Sequence, residues 1–301
     1  MPQGSDSGAA VESLEATVGH PGRLWEALQA RVQDEAITQF RQVGDDWLAL
    51  MWCIDAYRIA GLPPSGMGKA SISDAKRLDA VYRTKGNWFS TLLALLLQNQ
   101  TSQVIRPRTK VQGFSQLHQI DLAWPSRTED PLVCVETKVT GAPPFGSTPT
   151  RGAMSDWTNR RKELKFAATD LKLYRRQQNT SINHWGVWRE KAPPKTYFIW
   201  AARLRIDGTS PDDVKKLLAE AQALVNTYLE GAGLFAWRTR SDGSGYETVA
   251  LPANAHVTDI DDVLHRVASE ISELIGPKGQ IPAIERPKVR AVNPKEFSAD
   301  L

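Results

Sequence analysis

With 301 residues, 41% of them hydrophobic and 24% charged, the chain can bury a sizeable core and is not a disordered polar segment. No apolar run approaches a membrane span and no basic-then-apolar leader opens the chain, so a cytoplasmic protein with no membrane partner is expected. Two cysteines, Cys53 and Cys134, exclude a disulfide framework and a zinc cluster, and the net charge of +3 is unevenly divided: residues 101–205 hold 18 Lys and Arg against 8 Asp and Glu.

Residues 1–20 are small and polar and read as disordered. Residues 21–85 read as a helical region. Trp25, Leu28, Val32, Ile37 and Phe40 mark one amphipathic helix, and Trp47, Leu48, Met51, Trp52 and Ile54 mark a second, more buried one. The segment Gly66-Met67-Gly68-Lys69 lacks both the leading glycine and the hydroxyl residue of a phosphate loop, which rules that reading out. A helix over 73–82 is followed by a break at Lys85-Gly86-Asn87, and then by an apolar helix through Trp88, Phe89, Leu92, Leu93 and Leu96. Gln98, at its polar far end, is a candidate accessory site residue. In residues 102–114, Arg106, Arg108 and Lys110 alternate along an extended segment. They share one face, suited to a phosphate backbone or to protecting a sheet edge.

Residues 119–124 and 132–139 read as two strands around a turn rich in Ser, Thr, Asp and Pro. Asp121, Glu136 and Lys138 interrupt these apolar, β-branched runs. Period two puts Glu136 and Lys138 on one face, and an antiparallel hairpin brings Asp121 roughly opposite them. Two carboxylates at close range raise each other's pKa unless a cation lies between them. Hard oxygen ligands select Mg2+, with Mn2+ as a substitute, and leave coordination positions for water and a phosphate oxygen. The basic middle of the chain makes a polyanion the natural ligand.

At these residues the sequence resembles the PD-(D/E)xK nuclease superfamily, whose motif is an Asp followed, on the next strand, by Glu/Asp-x-Lys. Here the motif is Ile120-Asp121 and Glu136-Thr137-Lys138, with Ile120 in place of the family's proline. The resemblance implies that Asp121, Glu136 and the Thr137 carbonyl carry Mg2+ and that Lys138 serves the nucleophile. In the family, the preceding helix often adds a glutamate; Ser90 stands near that place.

Beyond the hairpin, residues 141–152 form a proline-rich loop beside the expected site. A helix over 156–178 buries Trp157, Leu164, Leu171 and Tyr174. Its other face carries Arg161, Lys165 and Lys172, which with Arg106, Arg108 and Lys110 are the candidate nucleic-acid contacts. Residues 183–189 mix aromatics with a cation and read as buried tryptophans. Residues 196–203 form a central apolar strand, and Ser210-Pro211 starts a helix that runs to Leu229. Two short strands near 233–237 and 246–251 and a helix over 258–275 complete the pattern. His118 reads as structural.

The expected fold is α/β (α+β), a restriction-endonuclease-like three-layer core over 86–276 with a central mixed sheet flanked by helices. An N-terminal helical region precedes it, and an extended or disordered tail over 277–301 follows. The expected activity is Mg2+-dependent hydrolysis of DNA phosphodiesters by a restriction or phage-defence endonuclease, as a homodimer when both strands are cut. An RNA, single-strand or repair nuclease with the same residues, and an inactive nucleic-acid-binding module, are the alternatives.

Overall fold

The computed structural model describes residues 6–60, 74–128, 131–144, 149–180, 193–205, 211–225 and 227–275. The segments at 66–69, 183–189 and 277–301, and the helix start at Ser210, lie outside the described residues. The described chain is α+β. Helices α1 (Asp6–Val18), α2 (Pro21–Asp34), α3 (Gly44–Ile59) and α4 (Asp74–Thr101) precede strands β1 (Arg106–Gln112), β2 (Leu117–Trp124) and β3 (Val133–Thr140). There follow α5 (Trp157–Thr180), β4 (Lys195–Arg203), α6 (Val214–Val225), β5 (Gly231–Thr239), β6 (Tyr246–Val249), β7 (Val257–Thr258) and α7 (Ile260–Ile275).

The strands form one mixed sheet in the order β1-β2-β3-β4-β5-β6, with β7 paired to β5. The β1–β2, β2–β3 and β5–β6 pairs are antiparallel, and β3–β4–β5 are parallel. Strand β4 is buried along almost its whole length, as an apolar central strand must be. Its side chains divide between the faces. Tyr197, Ile199 and Ala201 join the core built with α2, α3, α4 and α7, whereas Phe198, Trp200 and Ala202 pack with α5 and α6. This is the expected mixed sheet with helices on both faces.

Three boundaries differ from the sequence reading. Residues 6–18, expected to be disordered, form α1, whose Ala, Glu and Leu content favours a helix and which packs on α3. The break expected at Lys85-Gly86-Asn87 is absent, because α4 runs through it unbroken. Lys85 is 2% exposed and its Nζ lies 2.6 Å from the buried Asp55 carboxylate, so a residue that reads as a polar interruption is an anchor. The division at 85/86 therefore falls inside one helix, and α2, α3 and α4 share a core with the sheet. Finally, α6 begins at Val214, with Asp213 accepting from the Lys215 N–H. Asp212, one residue earlier, instead accepts from the N–H groups of Ala153 and Arg205, tying the loop after β3 to the end of β4. Gly141 starts that loop with φ +80°, and a Cβ there would lie 2.2 Å from the Arg203 carbonyl oxygen, so only glycine lets the loop leave β3 so close to β4.

Candidate active site at the fork of β2 and β3

The β2–β3 ladder pairs Trp124 with Val133, Ala123 with Cys134 and Leu122 with Val135, and then stops. Continued by one residue, the register would set Asp121 opposite Glu136. The Asp121 carboxylate instead takes a place in the ladder: its Oδ2 accepts from the Thr137 N–H at 2.8 Å and from the Thr137 Oγ1 hydroxyl at 2.9 Å. The strands fork at this point. In a strand the N–H and C=O of one residue face the same neighbour, so the Thr137 carbonyl is also turned toward β2, past the last backbone pair.

Glu136 and Lys138 stand in register with Phe198 and Trp200 of β4, side chains that pack toward α5 and α6. The expectation that they share a face agrees with this register. Burial, and then the facing charge of Asp121, push the Glu136 carboxyl well above the ordinary carboxylate range, while Lys138 pulls the other way and Glu163 of α5 adds a smaller upward push. A buried carboxyl thus faces a second one at the fork, and a cation between them would relieve their repulsion.

Asp121, Thr137 and Lys138 border a cavity of about 660 Å3 beyond the C-terminal end of β3. Asp121, Thr137, Lys138, Val139 and Thr140 form its floor; Glu136 does not reach its surface. One wall is α4, through Arg83, Gly86 and Asn87, and the other is Gly141, Arg151 and the start of α5, through Ser155, Asp156 and Arg160. The start of α5 is held there by Trp157, which stacks on Trp200 with ring centroids 4.3 Å apart, while the Trp200 indole donates to Thr140 Oγ1. Asp156 adopts φ +64° on this wall and accepts from Asn159, and Arg160 pairs with both Asp156 and Glu163.

The other sequence candidates lie elsewhere. Gln98 is three turns further along α4, roughly 16 Å from Asn87 at 1.5 Å per residue. There its side chain accepts from the Ile105 N–H, and it does not border the cavity. Ser90 is buried and its hydroxyl donates to the Asn87 carbonyl. On α5, Arg161 pairs with Glu220, Lys165 covers the Tyr228 ring, and Lys172 binds Glu230 and the Tyr228 carbonyl. These three cations lock α5 against α6 and the residues before β5. Arg106, Arg108 and Lys110 are exposed on the edge strand β1, and Arg108, at φ +54°, is left out of the β1–β2 pairing. His118, expected to be structural, is buried with its Nε2 2.7 Å from Asp170 Oδ2. Sequence reasoning missed Arg83, Arg151 and Arg160, which carry no motif and become neighbours only through the fold.

The residues fit a hard divalent cation. Two carboxylates and one free-facing main-chain carbonyl are a donor set that leaves octahedral positions for water, and the raised pKa of Glu136 marks a place where positive charge is lacking. Among the described residues no group of three or more His, Cys, Asp or Glu side chains is placed to hold a metal ion, at this fork or elsewhere. No protein-family description, curated protein or solved structure matches the chain.

Proposed function

We propose that the chain is a divalent-cation-dependent nuclease of the PD-(D/E)xK kind that hydrolyses phosphodiester bonds in DNA, with Mg2+ or Mn2+ as cofactor. The observation that supports this reading best is the Asp121–Glu136 pair at the strand fork, with Lys138 on the Glu136 face and a cation-walled cavity in front. A bound cation would supply Lewis acidity and a lowered pKa for the attacking water. Thr137 holds one oxygen of Asp121 through two hydrogen bonds and so leaves the other oxygen directed away from β3's backbone. A cation beside Glu136 would favour its carboxylate form, so binding would strengthen as pH rises. Lys138 orients the water and offsets the charge that grows on the phosphate oxygens. The arginines of the two walls position the chain on either side of the scissile bond.

The test is cleavage of supercoiled plasmid and of single-stranded circular DNA in Mg2+ or Mn2+, with Glu136→Gln in parallel. Cleavage that is lost with EDTA and reduced at least ~100-fold in the variant is expected, since the variant lacks one of the two carboxylates that would hold the cation. Equal cleavage by both chains would assign the activity elsewhere.

A further inference from the structure

Gly86 lies in the interior of α4, where glycine weakens a helix relative to alanine. No packing demand accounts for it, because a Cβ built there would have no atom within 4 Å. Arg83, one turn earlier, and the adjacent Asn87 share its stripe of the helix, and all three border the cavity. Lys85, held in the core by Asp55, fixes the rotation of this turn, so the stripe cannot swing away. Across the cavity stand Arg151 and Arg160, so three arginines border a floor that holds Asp121 and Lys138.

We propose that the bare turn at Gly86 is where the sugar-phosphate backbone of a nucleic-acid strand crosses α4. Arg83, Arg151 and Arg160 hold the phosphates flanking the one that reaches Asp121 and Lys138, and the strand enters unpaired. This rests on the phosphodiester reading above and narrows its substrate to single-stranded or locally opened DNA.

Three observations carry it. The missing side chain at Gly86 gives a ligand close access to helix backbone, a use of glycine that needs no neighbouring protein atom. The volume of about 660 Å3 is that of a small-ligand pocket, the right scale for one or two nucleotides. Among the described residues the lining holds arginines and no aromatic ring, so the contacts address phosphates rather than stacked bases. Binding is therefore strongly salt-dependent and nearly indifferent to sequence.

The experiment titrates the full chain, in EDTA, with one short fluorescein-labelled DNA oligonucleotide as a single strand and as a blunt duplex. The single strand binds at least ~10-fold more tightly than the duplex, a difference of about 1.4 kcal/mol. Arg151→Gln and Arg160→Gln each reduce the slope of log affinity against log salt by about 0.7, the share of one phosphate on a single strand. Gly86→Ala raises the melting temperature by about 2 °C, which shows that it folds, and weakens binding; Gly86→Gln weakens it further. Duplex binding equal to that of the single strand, or Gly86 variants that bind like the parent, overturns the proposal. Cleavage and binding separate the two claims. The full binding pattern in a chain that never cleaves would keep this proposal and remove the hydrolase, whereas Glu136-dependent cleavage with unaltered binding in the Gly86 and arginine variants would do the opposite.

Discussion

Glu136 and Asp170 are carboxyls under opposite pressures, and their pH responses differ in sign. Burial, and then the Asp121 charge, raise Glu136 above its unfolded value of about 4.3, so the folded state binds the extra proton and stability falls as pH climbs from there toward the folded pKa. Glu136→Gln removes that cost. Its melting temperature should match or exceed the parent's above about pH 5 without divalent cation, and a Mn2+-induced rise in melting temperature should grow with pH in the parent and vanish in the variant. Thermal melts across pH, with and without Mn2+, measure both effects. For Asp170, burial alone would raise the pKa, but the hydrogen bonds from His118 and Ser115 outweigh it and hold the carboxyl below its usual range. Its contribution is present above the unfolded value of about 3.9 and is lost as pH falls through the lower folded value. Asp170→Ala leaves His118 buried without this partner and should cost about 3 kcal/mol by urea denaturation while leaving cleavage per folded molecule unchanged. A large loss of activity in the folded variant would instead place His118 and Asp170 in the chemistry.

At the scale of elements, α4 joins the core to the cavity. One side of its turn at 83–87 carries the buried Lys85, which meets Asp55 beside Arg58, Arg203 and Tyr246. The Tyr246 hydroxyl donates to Asp55 at 2.6 Å, and Arg58 donates to the Pro143 carbonyl of the loop after β3. Lys85 and Arg58 both pair with the Asp55 carboxylate, and Arg203 lies over the Tyr246 ring. Asp55→Asn should therefore be the more damaging change, at about 3–5 kcal/mol, and Lys85→Met the milder one, which urea denaturation of both variants would rank. Gly86→Ala on the opposite stripe should stabilise by about 1 kcal/mol. This element also shows where the sequence stopped being informative. Lys85-Gly86-Asn87 has the composition of a turn, and nothing local reveals that Asp55, thirty residues earlier, receives the lysine. The same limit hid Arg83, Arg151 and Arg160 and the partners of Arg161, Lys165 and Lys172, since a cationic helix stripe looks alike whether it faces phosphate or Glu220, Tyr228 and Glu230. The strands, by contrast, were legible, because period two and the apolar character of β4 are local properties. Asp121, Glu136 and Lys138 stood out for the same reason: each breaks a pattern that its own neighbours establish.

The whole molecule is a mixed sheet with helices on both faces, and its cavity opens beyond the C-terminal end of β3, between α4 on one side and the start of α5 on the other. Crevices outside the carboxyl ends of parallel strands commonly bind ligands, because adjacent connections leave to opposite faces and part there. In this chain the parting is reinforced by the fork, where Asp121 takes the Thr137 N–H that a β2 carbonyl would otherwise have bound. The central claim is that this fork holds one divalent cation between Asp121 and Glu136. Calorimetric titration of the full chain with Mn2+ tests it most directly: the account predicts one site per chain whose affinity rises with pH and is lost in both Asp121→Asn and Glu136→Gln. Binding that survives both substitutions unchanged, or a parent chain that binds no Mn2+ at millimolar concentration, would contradict it.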